Sequence, residues 1–202
     1  MSLKALCMDF GGVLVRTTDP SPRARLAESL GMSSRELERI VFESPSAQEA
    51  SVGKISEEQH WSNVSRALGL PESEIPRLSQ EFFGGDSWDG ELFDFLRGLR
   101  RKLKTGLISN AWSGLRRVIV RQQVDDAFDA MIISAEVQVA KPAAGIYTIA
   151  LERLGVAPEQ AVFVDDMQVN VEGARSVGMQ AIPYTHSQEV MKAVRQLLAD
   201  HH

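Results

Sequence analysis

Five short apolar runs, each ending in polar or turn-forming residues, constrain this chain more than any other feature of its sequence. They lie at 3–8, 104–108, 131–134, 161–164 and 180–184. Apolar residues follow one another within them instead of alternating with polar ones, the pattern of parallel strands buried on both faces. Between the runs the spacing predicts helices over 90–102, 113–123, 143–154, 168–177 and 187–199, with Gly155 and Gly178 as helix stops. Strand alternating with helix implies an α/β fold: a parallel sheet with helices on its faces.

Residues 16–87 break that rhythm and hold no convincing strand. Ser33-Ser34-Arg35-Glu36 and Ser56-Glu57-Glu58-Gln59 have capping-box spacing. Helices are expected at about 22–30, 34–43, 56–68 and 75–83, after which Gly84-Gly85-Asp86 leads back to the main pattern. The domain reading is therefore a core of residues 1–15 and 88–202, interrupted by an all-helical insertion at 16–87.

At 202 residues, 44% hydrophobic and 24% charged, the chain has ordinary globular composition for one domain carrying an insertion. A net charge of −5 gives no basic footprint for nucleic acid. No run of 18 apolar residues offers a membrane span, and no signal peptide is read at the N-terminus. The single Cys7 lies within the first run and reads as a small buried apolar residue, so a reducing cytoplasmic location is expected. The terminal His201-His202 pair is assigned no metal.

In an open α/β sheet, ligands bind beyond the carboxyl ends of the strands. Here those ends carry Asp9 with Gly11 and Gly12, Ser109-Asn110, the loop with Lys141-Pro142, and Asp165-Asp166. Each has a bland reading taken singly: a turn, a helix cap, a surface lysine. Together they form a coherent set. Asp9, Asp165 and Asp166 place three carboxylates at one sheet edge, and such like charges raise one another's pKa unless a cation intervenes. Oxygen-only ligands suit Mg²⁺. Lys141 adds a fixed positive charge, while Ser109 and the glycine-turn N–H groups add donors. A metal, a lysine and donors facing a carboxylate make a phosphate site.

These motifs resemble, in order, those of the haloacid dehalogenase superfamily: Asp9 to Leu14, Leu107-Ile108-Ser109-Asn110, Lys141-Pro142, and Val164-Asp165-Asp166 with Asn170. The segments 108–112, 141–147 and 163–166 are similar to the phosphatase domain of soluble epoxide hydrolases and to small glucose-1-phosphatase-like bacterial members. The resemblance implies a Rossmann-like core with 16–87 as a helical cap, and Mg²⁺-dependent hydrolysis of a small phosphorylated metabolite. It implies that Asp9 is the nucleophile and forms an aspartyl-phosphate. Asp9, the Gly11 carbonyl and Asp166 would hold Mg²⁺, with Asp165 direct or through water. Ser109 and Asn110 would bind phosphoryl oxygens beside the Gly11-Gly12 turn, Lys141 would balance charge, and Asn170 would support the metal loop.

One departure matters. Members with phosphatase activity usually carry a second Asp two residues after the nucleophile, as general acid and base, and Gly11 stands there. Asp165, Asp19, Thr17 and His60 are candidate substitutes, His60 reading otherwise as a helix-surface residue. A bias toward good leaving groups is the alternative. The competing functions are a metal-independent 2-haloacid dehalogenase, against which the Asp165-Asp166 pair argues, and a pseudo-enzyme that binds a phosphorylated ligand or a protein. Asp9-Phe10-Gly11 as a kinase metal motif is rejected, because no glycine-rich loop or catalytic loop precedes it. Substrate choice is expected to lie in the insertion. Trp61, Trp88 and Trp112 read as packing or as pocket walls, with Trp112 the best placed for substrate contact and the segment 51–56 a further candidate.

Overall fold

The computed structural model describes residues 2–199; the His201-His202 pair lies outside them. The strands are β1 (Ala5–Met8), β2 (Val15–Thr17), β3 (Asp86–Trp88), β4 (Lys104–Ser109), β5 (Ala130–Ile133), β6 (Ala161–Asp165) and β7 (Gln180–Pro183). Five of them form one parallel sheet in the order β5-β4-β1-β6-β7, as the continuous apolar runs predict. Every residue of β1 is buried, which fits its place at the centre.

Successive residues of β1 feed opposite layers. Leu6 and Met8 join one cluster with Leu92, Leu96, Leu107, Ile119 and Val190. Ala5 and Cys7 join the other with Tyr147, Ala150, Leu154 and Phe163. The helices behind the first layer are α6 (Gly90–Leu99), α7 (Leu115–Arg121) and α11 (Ser187–Ala199); behind the second lie α9 (Ala144–Leu154) and α10 (Gln168–Ser176). The numbering leaves α1 to α5 for the insertion and α8 for the short turn Ser134–Val137. Gly155 ends α9 at φ +68, the left-handed stop expected of it. Cys7 is fully buried and its thiol is pushed up to about 12 by desolvation, as a packing residue requires.

The insertion comprises α1 (Ser21–Ser29), α2 (Ser34–Glu38), α3 (Pro45–Ser51), α4 (Glu57–Ala67) and α5 (Ile75–Phe82). Both predicted capping boxes form, at Ser33 with Glu36 and at Ser56 with Gln59. Three expectations for it need correction. The segment does reach strand structure at its ends: β2 and β3 pair antiparallel, Val15 opposite Trp88, and make a two-stranded stem. Three residues are too few to show an alternating pattern. The helix expected to run through 34–43 widens into a π-helix at Arg39–Glu43 and is followed by α3, which the Ser44 cap and Pro45 start. His60 lies inside and is fully buried, contrary to the surface reading.

The insertion has its own core of Leu26, Leu37, Val41, Trp61, Leu78 and Phe82. His60 is accommodated there because both ring nitrogens find partners: Nε2 lies 3.0 Å from the Val41 carbonyl and Nδ1 2.9 Å from the Ser46 hydroxyl. A carbonyl only accepts, so Nε2 carries the proton and Nδ1 accepts from Ser46. Burial holds the imidazole pKa below its ordinary 6.5, with the Val41 bond opposing in part. The unfolded chain takes up that proton more readily, so this contribution is complete above pH 6.5 and is lost as pH falls through the lower folded-state pKa. Urea unfolding between about pH 7 and pH 5 is expected to show wild type losing more stability than His60→Gln; equal pH slopes would contradict a buried neutral His60.

Candidate active site

β1 and β6 are neighbours, but the chain leaves β1 towards β4 and leaves β6 towards β7. Their carboxyl ends therefore open a crevice at a topological switch point. Asp9 follows β1 there and Asp165 ends β6. Lys141, from the loop ahead of α9, reaches between them: its Nζ lies 2.7 Å from Asp9 Oδ1 and 2.6 Å from Asp165 Oδ2. The lysine side chain is 1% exposed and that of Asp165 is 0% exposed, so water screens neither pair.

Asp165 is held on every side. Its Oδ1 accepts from the Met167 N–H at 2.8 Å and from Asn170 Nδ2 at 3.0 Å, while Oδ2 takes Lys141. Asn170 is in turn anchored by the Tyr147 hydroxyl, which donates to its carbonyl at 2.8 Å. Asp9 Oδ1 also accepts from the Phe10 N–H at 2.7 Å. Its Oδ2 makes no hydrogen bond among the described residues, so this is the oxygen open to a ligand.

Asp166 differs from its neighbour. It is exposed, and among the described residues its carboxylate has no cationic partner. Oxygens of Asp9, Asp165 and Asp166 lie within 4.8 Å of one another. Burial pushes the Asp9 carboxyl upward, Lys141 opposes this, and the charge of Asp165 adds to it. Asp166 is likewise raised, by desolvation first and then by Asp165. One ammonium among three carboxylates leaves the cluster short of positive charge. An all-oxygen set with Asp9 Oδ2 and Asp166 open, beside the Gly11 turn, fits a hard divalent cation. Asp165, whose acceptor positions are taken by Lys141, Asn170 and Met167, is better placed to hold Lys141 than to ligate.

The two glycines do different things. Gly12 has φ +84, and a Cβ there would overlap the Asp166 carboxylate; only glycine lets the loop lie against it. A Cβ on Gly11 would meet nothing within 4 Å, and its φ is not positive. Nothing in the fold forbids a side chain at Gly11.

The second strand end divides its roles. Ser109 is buried at the end of β4, and its hydroxyl makes no hydrogen bond among the described residues. Asn110 instead turns its side chain to the Lys141 peptide, with Nδ2 donating to the carbonyl at 2.9 Å and Oδ1 accepting from the N–H at 2.7 Å. It fixes the loop from which Lys141 reaches in. Trp112 leaves the core altogether and packs on the insertion, its ring 4.4 Å from that of His60 and 5.8 Å from Trp61. Trp61 is buried in the insertion, and Trp88 packs against Phe10 and Phe93, so both serve packing.

Of the candidate stand-ins for an acid at Gly11, Asp165 is taken up within the site by Lys141, Met167 and Asn170, and the other three are engaged elsewhere. The Thr17 hydroxyl donates to Asp86 at 2.6 Å, Asp19 accepts from the Ser21 N–H at 2.9 Å, and His60 is enclosed. Sequence reasoning missed how the insertion is seated. Gly53, at φ +70, presses on the Ala135 carbonyl, Ser134 donates to the Ser51 carbonyl, and the half-buried Glu57 lies against Gly114 at the start of α7. It also missed Arg16, which joins β2 to Asp89 at 2.7 Å and to the Tyr184 hydroxyl. Glycine at 53 and 114 was the only available signal, since each sits where another element touches backbone.

Replacing Lys141 by Met strands two buried carboxylates. The expected loss is about 3–5 kcal/mol in urea unfolding at neutral pH; a loss under about 1 kcal/mol would show that the bridge carries little.

The family model for haloacid dehalogenase-like hydrolases matches residues 3–178. A sesquiterpene phosphatase of Aspergillus oryzae is 27% identical over 98% of this chain and 97% of its own. A phosphatase of phosphorylated carbohydrates from Thermotoga maritima is 29% identical over 89% of this chain and 84% of its own. An (S)-2-haloacid dehalogenase of Pseudomonas fluorescens is 32% identical over a shorter stretch, 55% of this chain and 49% of its own. Among solved structures, a haloacid dehalogenase family enzyme of Bacteroides thetaiotaomicron in complex with magnesium and inorganic phosphate shares the fold. Its TM-score is 0.77 at 21% identity, over 91% of this chain and 95% of that one.

Proposed function

The chain belongs to the haloacid dehalogenase-like hydrolases and is a hydrolase of the phosphatase type, and from that premise we propose that it cleaves a small phosphate monoester with Mg²⁺ through an aspartyl-phosphate on Asp9. The observation that carries this reading is the charge balance of the switch-point crevice. Lys141 is committed to Asp9 and Asp165, while Asp166 faces the same space with no cation of its own among the described residues.

Asp9 Oδ2, Asp166 and the Gly11 carbonyl would hold Mg²⁺, which when bound neutralises phosphoryl charge. The chain's own groups do the rest. Asp9 attacks phosphorus, forming an O–P bond as the bond to the leaving oxygen breaks. Lys141 offsets the charge on nucleophile and phosphoryl group, and the Ser109 hydroxyl donates to a phosphoryl oxygen. Water then attacks the aspartyl-phosphate, releasing phosphate and restoring the carboxylate. Asp165, Asn170 and Tyr147 keep Lys141 aimed. Residues 16–87 act as a cap that excludes water.

With no carboxyl at Gly11, the leaving oxygen departs without a side chain to protonate it. A second reading, metal-independent 2-haloacid dehalogenation, is favoured by that same absence and by the dehalogenase relative. The unpaired Asp166 weighs against it. If the phosphatase reading holds, kcat/KM for phosphate esters is expected to fall steeply as leaving-group pKa rises, and Asp9→Asn to remove turnover. Gly11→Asp, which the open space accommodates, is expected to flatten that slope and to raise turnover of alkyl phosphates tenfold or more, within the roughly 10²–10⁴-fold reach of general acid–base catalysis. A wild-type rate indifferent to leaving-group pKa would contradict this account of Gly11.

A further inference from the structure

Phe42 is the one aromatic residue among the exposed large hydrophobic side chains of the described residues, at 47% exposure. A lone exposed apolar side chain needs no explanation. This one is continuous with others. Its ring lies 5.2 Å from Phe82, 6.1 Å from Phe83 and 6.1 Å from Trp112, tilted only 30° from the last. Phe83 and Trp112 are themselves half-buried. The backbone presents Phe42 in an unusual way. Arg39–Glu43 is a π-helix, a wide turn found often at functional sites. Within it Val41 points inward and gives its carbonyl to the buried His60, while Phe42 turns out. The same imidazole lies 4.4 Å from the Trp112 ring, tilted 52° to it. His60 thus ties the two rings together: its Nε2 bonds the carbonyl beside Phe42, and its ring packs on Trp112.

This wall is tied to the reacting groups through a short chain of contacts. Trp112 stands two residues after Asn110, Asn110 clasps the Lys141 peptide, and Lys141 reaches Asp9 at 2.7 Å. We propose that Phe42 and Trp112, held in place by His60, form an apolar wall that selects phosphate esters with a hydrocarbon-rich leaving group. The proposal rests on the phosphatase reading and names its substrate class. Phosphate binds at the strand ends, and the organic part of the ester covers the exposed part of Phe42, whose ring also has the Arg23 guanidinium 6.0 Å away. His60 is a positioning residue, enclosed and touching no substrate.

The test uses 4-alkylphenyl phosphates from methyl to butyl, whose leaving-group acidity barely changes, so the Gly11 effect stays constant along the series. Wild-type kcat/KM is expected to climb about fourfold per methylene, the equivalent of about 0.8 kcal/mol per buried CH₂. In Phe42→Ala the climb should vanish, leaving kcat/KM indifferent to alkyl chain length. Phe42→Gln, similar in reach at a solvent-facing position, gives the same reading if alanine loosens the packing. His60→Gln should weaken the climb through KM and leave kcat within about threefold. In parallel, Mg²⁺-dependent binding of alkylphosphonates of two to eight carbons is followed by tryptophan fluorescence, which needs no turnover. Turnover with no dependence on chain length overturns the wall. Binding that tightens with chain length, without turnover of any ester, keeps the wall and overturns the phosphatase reading. Neither turnover nor length-dependent binding overturns both.

Discussion

Lys141 places one ammonium group between two carboxylates that arrive on neighbouring strands, and the arrangement at the sheet edge follows from that contact. Taking Asp9 and Asp165 out of water costs several kcal/mol for each charge. The cost is offset only if the lysine reaches both oxygens and the remaining acceptors are filled. The fold meets these conditions with parts drawn from far along the chain. Asn110 clasps the Lys141 backbone, Asn170 and the Met167 N–H fill the acceptors of Asp165, and Tyr147 anchors Asn170. Strand order, the loop ahead of α9 and the start of α10 are thereby tied to one ionic contact. What remains unbalanced is Asp166 and the free oxygen of Asp9, and the proposed cation and anionic ester answer that imbalance.

The insertion meets this site through few but specific contacts. Trp112 belongs to the core by sequence and to the insertion by packing, tilted against His60 and edge-to-face with Trp61. At Gly53 insertion and core meet backbone to backbone, against the Ala135 carbonyl, and at Gly114 the Glu57 side chain lies on core backbone. A movement of the insertion would therefore pull on the segment that begins at Ser109. This links closure of the cap to the geometry of phosphate binding in the proposed mechanism.

Much of this was legible in the sequence because the signals are local. Continuous apolar runs announce parallel strands, and the polar residues at their ends announce a site at the same edge of the sheet. Asp9, Ser109, Lys141, Asp165 and Asp166 were all read this way, and the structure brings their strand ends together. The division of labour among them was not legible. Whether Asp165 or Asp166 faces solvent depends on a single step at the end of β6, and the turn of Asn110 towards Lys141 depends on a loop 31 residues away. His60 was misread because its partners, Val41 and Ser46, lie across a π-turn with no sequence signature. The β2–β3 stem was missed because three-residue strands carry too little pattern, and their pairing spans the whole insertion.

The measurement closest to the central claim is phosphate release from a broad panel of monoesters with Mg²⁺ and with EDTA, run beside halide release from 2-haloacids and repeated with Asp9→Asn and Asp166→Asn. The account predicts Mg²⁺-dependent phosphate release that either substitution removes, with no halide released. Halide release that persists in EDTA and survives Asp166→Asn would contradict it.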